Sequence, residues 1–346
     1  MRAALVGYAQ TGKTMLFNAL TGQSATTGAG RADKPNLGVI KVPDARVDEL
    51  TRMYKPKRTV YADVRFVDVP GPRTTGAGLD GPTLQSLREA DALVLVLRGF
   101  TDEQQAAPDP LRELRDFETE LVIADQIVVE KRLDRLRKEN ASGVERETLE
   151  ACLEMLAAGT PLRKMPVRAE QLPILSTYAF VSLRPMLAVI NVGEEQASSP
   201  VPQALVDAGA QQSVDVMSVC ASIEAEIALL DEQEQGDFLQ SLGLLEPASA
   251  RFVRHAYRLL HYISFFTVGT DEVRAWTTHE GDKAPRAAGR VHSDMERGFI
   301  RAEVMKYDEL MQAGSEQKLK EKGKLRVEGK NYVVQDGDIL NFRFNV

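Results

Sequence analysis

Eight residues near the start of the chain, Gly7-Tyr8-Ala9-Gln10-Thr11-Gly12-Lys13-Thr14, have the types and spacing of a loop that wraps phosphate groups. In the pattern G-x-x-x-x-G-K-[ST], glycines let successive backbone N–H groups curl around phosphate oxygens, and the N-terminus of the following helix adds positive potential. Lys13 would bridge the outer phosphates and offset charge in the transition state, and the Thr14 hydroxyl would be one ligand of Mg²⁺. Gly7, Gln10, Thr11, Gly12 and Met15 complete the contacts expected on this side of a nucleotide. The string also stands where that chemistry needs it, after the apolar run Ala3 to Val6 and at the opening of a helical pattern. A mere glycine turn is therefore the weaker reading.

Asp68-Val69-Pro70-Gly71 closes a second apolar run. There, Asp68 would hold Mg²⁺ through water and the Gly71 N–H would sense a γ-phosphate. Alone, D-x-x-G says little; its distance from Lys13 and its place at a strand end strengthen it. Pro72 follows, so the glutamine with which Ras-type enzymes orient water is absent, and hydrolysis should be slow without help. Asn191-Val192-Gly193-Glu194 ends another apolar run, at the kind of carboxyl edge where α/β sheets bind ligands. Guanine-specific proteins read N-K-x-D at this place. Here Val192 replaces the lysine and Glu194 is one methylene longer than aspartate, so guanine loses a well-placed partner while adenine is not excluded. Cys220 and Ala221, after the next apolar run, hold the usual position of the last base-contacting loop.

The elements that must position these residues can be read from periodicity. Ala3 to Val6, Val39 to Val42, Val64 to Val69, Ala92 to Leu97, Met186 to Ile190 and Val214 to Val219 read as strands alternating with helices, which argues for a parallel α/β sheet. Asp44 reads as the N-cap of a helix that turns Val47 and Leu50 inward, and another helix begins near Thr83. From Asp109 to about Glu139 there is no glycine, and Leu114, Phe117, Leu121, Ala124 and Val128 step by three and four. That is one long helix; a second with Leu149, Leu153 and Leu156 follows a turn at Asn140 to Gly143. The expected organisation is a discontinuous nucleotide-binding domain (1–105 and 184–262), an inserted helical hairpin (106–183) and a compact β-rich module (263–346). Strands in that module are expected at Ser264 to Val268, Glu272 to Trp276, Ile300 to Val304, Tyr332 to Val334 and Ile339 to Phe344.

Composition narrows the class. With 43% apolar and 27% charged residues, the chain is globular rather than disordered or fibrous. No apolar run approaches the roughly 20 residues of a membrane span, and a glycine interrupts the N-terminus too early for a signal peptide, so no membrane partner and a cytoplasmic setting are expected. Two cysteines, Cys152 and Cys220, make no disulfide framework, and the four histidines lack zinc-site spacing. Acidic and basic residues balance from Thr267 onward, so the net charge of −7 resides before it. Within that balanced tail, Lys318, Lys320, Lys322, Lys324, Arg326 and Lys330 outnumber Glu321 and Glu328. Such an excess can attract a polyanion, and Lys318, Lys320, Lys322 and Lys324 are the candidate RNA contacts; the plain alternative is a solvated surface hairpin. No DNA partner is expected.

Several strings together resemble the Obg-like ATPase (YchF) family: the phosphate loop followed by Leu16-Phe17-Asn18-Ala19-Leu20, Lys34-Pro35-Asn36-Leu37-Gly38-Val39, and Asn191 to Glu194. Val273 to Thr277, Arg297 to Glu303 and Val334 to Asp338 extend the resemblance over essentially the whole chain. It implies a P-loop NTPase (G-domain-like) sheet, an inserted helical hairpin and a C-terminal TGS domain of β-grasp type. It further implies hydrolysis of ATP in preference to, or alongside, GTP, with Mg²⁺, and a ribosome or other RNA assembly as partner. Three departures from the family's pattern stand out. Gln10-Thr11 replaces an Asn-Val pair whose asparagine can help coordinate potassium; Ala32 stands where the first switch supplies a threonine to Mg²⁺, with Thr26 or Thr27 as substitutes; Pro72 makes the second switch stiffer. Three functions remain in view: a slow ATPase switch acting on a ribosome or another RNA assembly, a guanine-specific GTPase of the same fold, and a nucleotide-binding adaptor without turnover. A metabolic kinase is disfavoured, because no second substrate pocket is suggested.

Overall fold

The computed structural model describes residues 2–23, 36–71, 78–102 and 106–345, and only the backbone of Glu232. Thr26, Thr27, Ala32, Lys34, Pro35 and Pro72 lie outside the described residues. The first part of the chain forms β1 (Arg2–Val6), α1 (Lys13–Thr21), β2 (Asn36–Lys41), α2 (Ala45–Tyr54), β3 (Arg58–Val60), β4 (Asp63–Asp68), α3 (Gly81–Arg88) and β5 (Ala92–Arg98). Two helices follow, α4 (Pro110–Lys138) and α5 (Val144–Ala157), and then β6 (Met186–Asn191) and β7 (Val214–Val219). Two compact units result: residues 1–40 with 65–259, and residues 41–64 with 260–346.

In the first unit the sheet order is β2-β4-β1-β5-β6-β7. β5 and β6 are buried along their whole length, because their continuous apolar runs have a layer of structure on both faces. The pairs β1–β4, β1–β5, β5–β6 and β6–β7 are all parallel. Their register sets Leu5 beside Asp68, Arg98 beside Asn191, and Asn191 beside Val219. Parallel pairing thus delivers the ends of five strands to one carboxyl edge, the place where such sheets bind ligands.

The inserted helices follow the sequence closely. Asp109 caps α4 by accepting from the Arg112 N–H, and Pro110 occupies the first turn, where its missing N–H costs nothing. α4 serves two cores. Its near end, Leu114, Phe117 and Leu121, packs with Tyr8, Val6 and Leu95, and its far end, Val129, Leu133 and Leu136, packs with Leu149, Cys152 and Leu156 of α5. Between them Asp125, wholly buried, accepts the N–H groups of Val181 and Ser182 at 3.0 and 2.7 Å. Burial raises its pKa and those hydrogen bonds oppose the shift. A buried ion pair, Glu118 with Arg163, ties the same helix to the segment that returns to the sheet.

In the second unit the sheet order is β11-β10-β12-β8-β9-β3, from β8 (Tyr262–Thr267), β9 (Glu272–His279), β10 (Phe299–Lys306), β11 (Arg326–Glu328) and β12 (Asp338–Phe344). Residues 41–64, expected in the nucleotide-binding domain, group here instead. β3 runs parallel to β9, with Arg58 beside Glu272 and Val60 beside Arg274. In α2, Arg46 pairs with Asp44 and with Asp336 (2.6 Å), and its guanidinium lies 5.0 Å from the centre of the Phe266 ring. The amphipathic face of α2 required a partner without saying which. Two further expectations change. Tyr332 to Val334 is no strand: only Val333 bridges, to Lys283, while the Tyr332 hydroxyl donates to Asp338 at 2.7 Å. The Lys318 to Lys330 stretch is no hairpin; it forms the helix Glu316–Glu321, anchored by wholly buried Leu319, and then β11. Helix Ala284–Val291, which packs Ala284, Ala287 and Ala288 under the sheet, was not anticipated, because alanines give a weak apolar signal.

Candidate nucleotide-binding site

The phosphate loop begins where β1 ends. A Cβ on Gly7 would lie 2.4 Å from the Val96 carbonyl oxygen, so only glycine fits against β5. Gln10 and Gly12 both have positive φ, 65° and 80°. That conformation turns neighbouring N–H groups toward one concavity, and at Gly12 it caps α1. Thr11, almost fully buried, donates its hydroxyl to the Tyr8 carbonyl at 3.2 Å. Lys13 folds back over the loop, its Nζ donating to the Gly7 carbonyl at 3.3 Å. Met15, by contrast, is exposed.

The second cluster surrounds Asp68, which is wholly buried. The Thr14 hydroxyl donates to its Oδ2 at 3.2 Å, and the Asn36 amide donates to the same oxygen at 3.3 Å. Gly71 presses on the loop so closely that a Cβ there would stand 1.7 Å from the Gly7 carbonyl oxygen and 3.1 Å from Lys13 Nζ. Thr83 of α3 donates to the Pro70 carbonyl at 3.0 Å, fixing the other side of this turn. A hydroxyl and a carboxylate side by side form an all-oxygen pair, which suits a small hard cation that takes few protein ligands and completes its shell with water and phosphate. Among the described residues, no group of three or more His, Cys, Asp and Glu could hold a metal without such help.

The third cluster is built on Asn191. Its Nδ2 donates to the Thr11 carbonyl at 3.1 Å, and its Oδ1 accepts the Ala221 N–H at 3.0 Å. One side chain therefore joins the phosphate loop to the loop after β7. Val192 is half-buried and its N–H donates to the Val219 carbonyl at 2.9 Å. Glu194 is exposed at the start of a single 3-10 turn, and Cys220 is buried with its thiol 3.1 Å from the Ser222 hydroxyl.

The structure therefore brings Gly7, Thr11, Gly12, Lys13, Thr14, Asp68, Gly71, Asn191 and Ala221 into one connected set. Met15 and Glu194 face solvent beside it, and the Cys220 thiol turns to Ser222 rather than toward the loop. Lys318, Lys320, Lys322 and Lys324 belong to the second unit; Lys324 pairs with Glu309 at 3.2 Å, and all four are exposed. Two residues beyond the expected set join the site. Asn36 reaches Asp68 from the first residue of β2, and an amide at a strand start after a loop could have drawn attention to it. Tyr8 fills a variable position of the loop pattern, so no signal in the sequence singled it out.

Known proteins resemble this chain along its whole length. Residues 2–131 match the family described as "50S ribosome-binding GTPase", and residues 262–345 match the YchF GTPase C-terminal family, described as "Protein of unknown function (DUF933)". The chain is 39% identical to the "Ribosome-binding ATPase YchF" of Haemophilus ducreyi, with 100% of this chain and 99% of the relative aligned. It is 38% identical to the protein of that name from Bacillus subtilis, with both chains covered in full. Among solved structures, the Schizosaccharomyces pombe YchF GTPase superposes with a TM-score of 0.87 at 28% identity, covering 99% of this chain and 97% of that one.

Proposed function

The chain belongs to the YchF family, and on that footing we propose that it is a slow, Mg²⁺-dependent ATPase that works as a nucleotide switch on the ribosome. The observation that carries this reading is the convergence of Lys13, Gly7 and Gly71 on one side and Thr14 and Asp68 on the other, at the carboxyl edge of a P-loop sheet. The backbone N–H groups after Gly7 bind the phosphates, and Lys13 leaves the Gly7 carbonyl to neutralise the outer ones. Thr14 and Asp68 would hold Mg²⁺, which when bound neutralises the β- and γ-phosphate oxygens. The Gly71 N–H reports the γ-phosphate to the turn that Thr83 anchors. Asn191 and Ala221 shape the base side, with Val192 and Glu194 in place of the lysine and aspartate that favour guanine. The ribosome is the partner in the names of the relatives; on this chain the exposed Lys318, Lys320 and Lys322 give a polyanion a surface.

Equilibrium binding of ATP, ADP, GTP and GDP to the wild type and to Lys13→Ala tests this. ATP should bind at least as tightly as GTP, and Lys13→Ala should weaken binding by about tenfold or more, the worth of a charge-assisted hydrogen bond. Tenfold tighter GTP would instead select the GTPase reading. If no phosphate is released with Mg²⁺ and potassium, with or without ribosomes, the chain is a nucleotide-binding adaptor.

A further inference from the structure

Tyr8 occupies a position that phosphate binding leaves free, yet it is buried and points away from the loop toward the inserted helix. Its hydroxyl donates to Glu120 of α4 at 3.3 Å, and its ring meets Phe117, one turn earlier on the same helix, edge to face with centres 6.4 Å apart. Its carbonyl accepts the Thr11 hydroxyl, so the residue is held from both directions. Burial first, and then the charge of Glu120, raise the phenol's pKa, so the proton stays on oxygen and donates.

α4 can transmit force because it is one unbroken helix shared by two cores. Asp125 fixes its middle to Val181 and Ser182. Glu120 lies about 7.5 Å along the helix from that anchor and Lys138 about 20 Å on the other side, at 1.5 Å per residue. A tilt that moves the far end by about 3 Å would thus move Glu120 by about 1 Å, enough to break its hydrogen bond with the phenol. Glu120 also lines a groove of about 440 Å³ with Leu79, Leu84 and Ile123, so on that side it has room to shift.

We propose that Tyr8 is a positioning residue that couples the shape of the phosphate loop to the placement of the inserted helical arm through Glu120 and Phe117. The proposal rests on the nucleotide-binding reading above and names the physical route of the switch. Because such coupling is reciprocal, nucleotide must alter the near end of α4, and whatever engages the arm must alter nucleotide affinity.

Hydrogen exchange of the full-length protein with and without saturating Mg–ATP tests it. In the wild type, exchange should slow over residues 7–16, and over 113–124 it should change by about fivefold or more, the low end of measured couplings. Tyr8→Phe keeps the ring and loses the hydroxyl: residues 7–16 should still be protected while the response over 113–124 disappears. Glu120→Gln retains an acceptor and should restore a response that Glu120→Leu abolishes, a distinction a merely structural role would not make. Wild-type protection confined to residues 7–16 would overturn the coupling and leave nucleotide binding intact. A response over 113–124 that survives both Tyr8→Phe and Glu120→Leu would also overturn it. No protection anywhere would remove the nucleotide-binding reading and the coupling together.

Discussion

Replacing Asn191 with alanine should loosen at once the two loops of the proposed nucleotide site. In the folded protein its amide donates to the Thr11 carbonyl at 3.1 Å and accepts from the Ala221 N–H at 3.0 Å. Thr11 and Ala221 are each 1% exposed, so neither freed group can turn to bulk water. A buried polar group left without its partner costs about 1–3 kcal/mol, which gives about 2–6 kcal/mol for the two. Entry of a water into the vacated space would recover part of this, leaving about 2–4 kcal/mol. For a unit of this size, each kcal/mol lowers Tm by about 2–4 °C, so the first unit should melt roughly 4–16 °C earlier. Asn191→Asp offers a control: it keeps an acceptor for Ala221 but sets an anionic oxygen against the Thr11 carbonyl, and should recover none of the loss. Differential scanning fluorimetry and ATP titration report the two consequences, and affinity should fall by at least about tenfold, equivalent to 1.4 kcal/mol. If Asn191→Ala melted within about 2 °C of wild type and bound ATP within about twofold, the loops would be holding themselves and the bridge would be incidental.

Three other perturbations follow from named interactions. Asp68→Asn removes the carboxylate that Thr14 and Asn36 address, so the gain in ATP affinity on adding Mg²⁺ should shrink by about tenfold while the affinity in EDTA changes little; an unaltered Mg²⁺ increment would place the ion elsewhere. Charge reversal of Lys318, Lys320 and Lys322 to glutamate should weaken ribosome co-sedimentation at low salt and flatten its salt dependence, by up to about 0.7 in log–log slope for each phosphate no longer neutralised; unchanged sedimentation would exclude that stretch as the ribosome-facing surface. His255 is held below its usual pKa of 6.5 by burial and by Arg258 and Arg251, against the pull of Asp215. The folded ring therefore resists a proton that the unfolded ring accepts, and stability should fall as pH drops below about 6.5. His255→Gln should reduce that slope, and an identical pH profile of Tm would show that the ring does not titrate between the two states.

Much of the first unit was legible because its signals are local. β7 spans the very residues its apolar run marked, α1 starts at Lys13 as the loop pattern required, and Asp109 with Pro110 announced α4. Sequence and structure part where the stabilising partner is far away along the chain. β3 is three residues, one exposed and two half-buried, whose pairing in the sheet is with β9, more than two hundred positions later, so no alternation could reveal it. Tyr332 to Val334 has the apolar content of a strand, yet its pairing stops at the single bridge between Val333 and Lys283, and the Tyr332 hydroxyl turns to Asp338. The lysine-rich stretch hid a helix because its single buried residue, Leu319, gives no periodicity.

The candidate site divides along the same line. Residue types and spacing along the chain marked the glycine-bounded loop between β1 and α1, Lys13 and Thr14 at its end, and the acidic strand end at Asp68. Each is a property of a single strand end and the turn that follows it, whose conformation depends on neighbours within a few residues. Tertiary structure alone decided that Asn191 would clamp Thr11 to Ala221, that Asn36 would meet Asp68, and that Tyr8 would reach Glu120. Each of those meetings depends on the register of parallel strands and the path of their crossovers. Register is fixed by burial summed over the whole sheet, and a local pattern of residues carries no record of which distant strand will lie beside it.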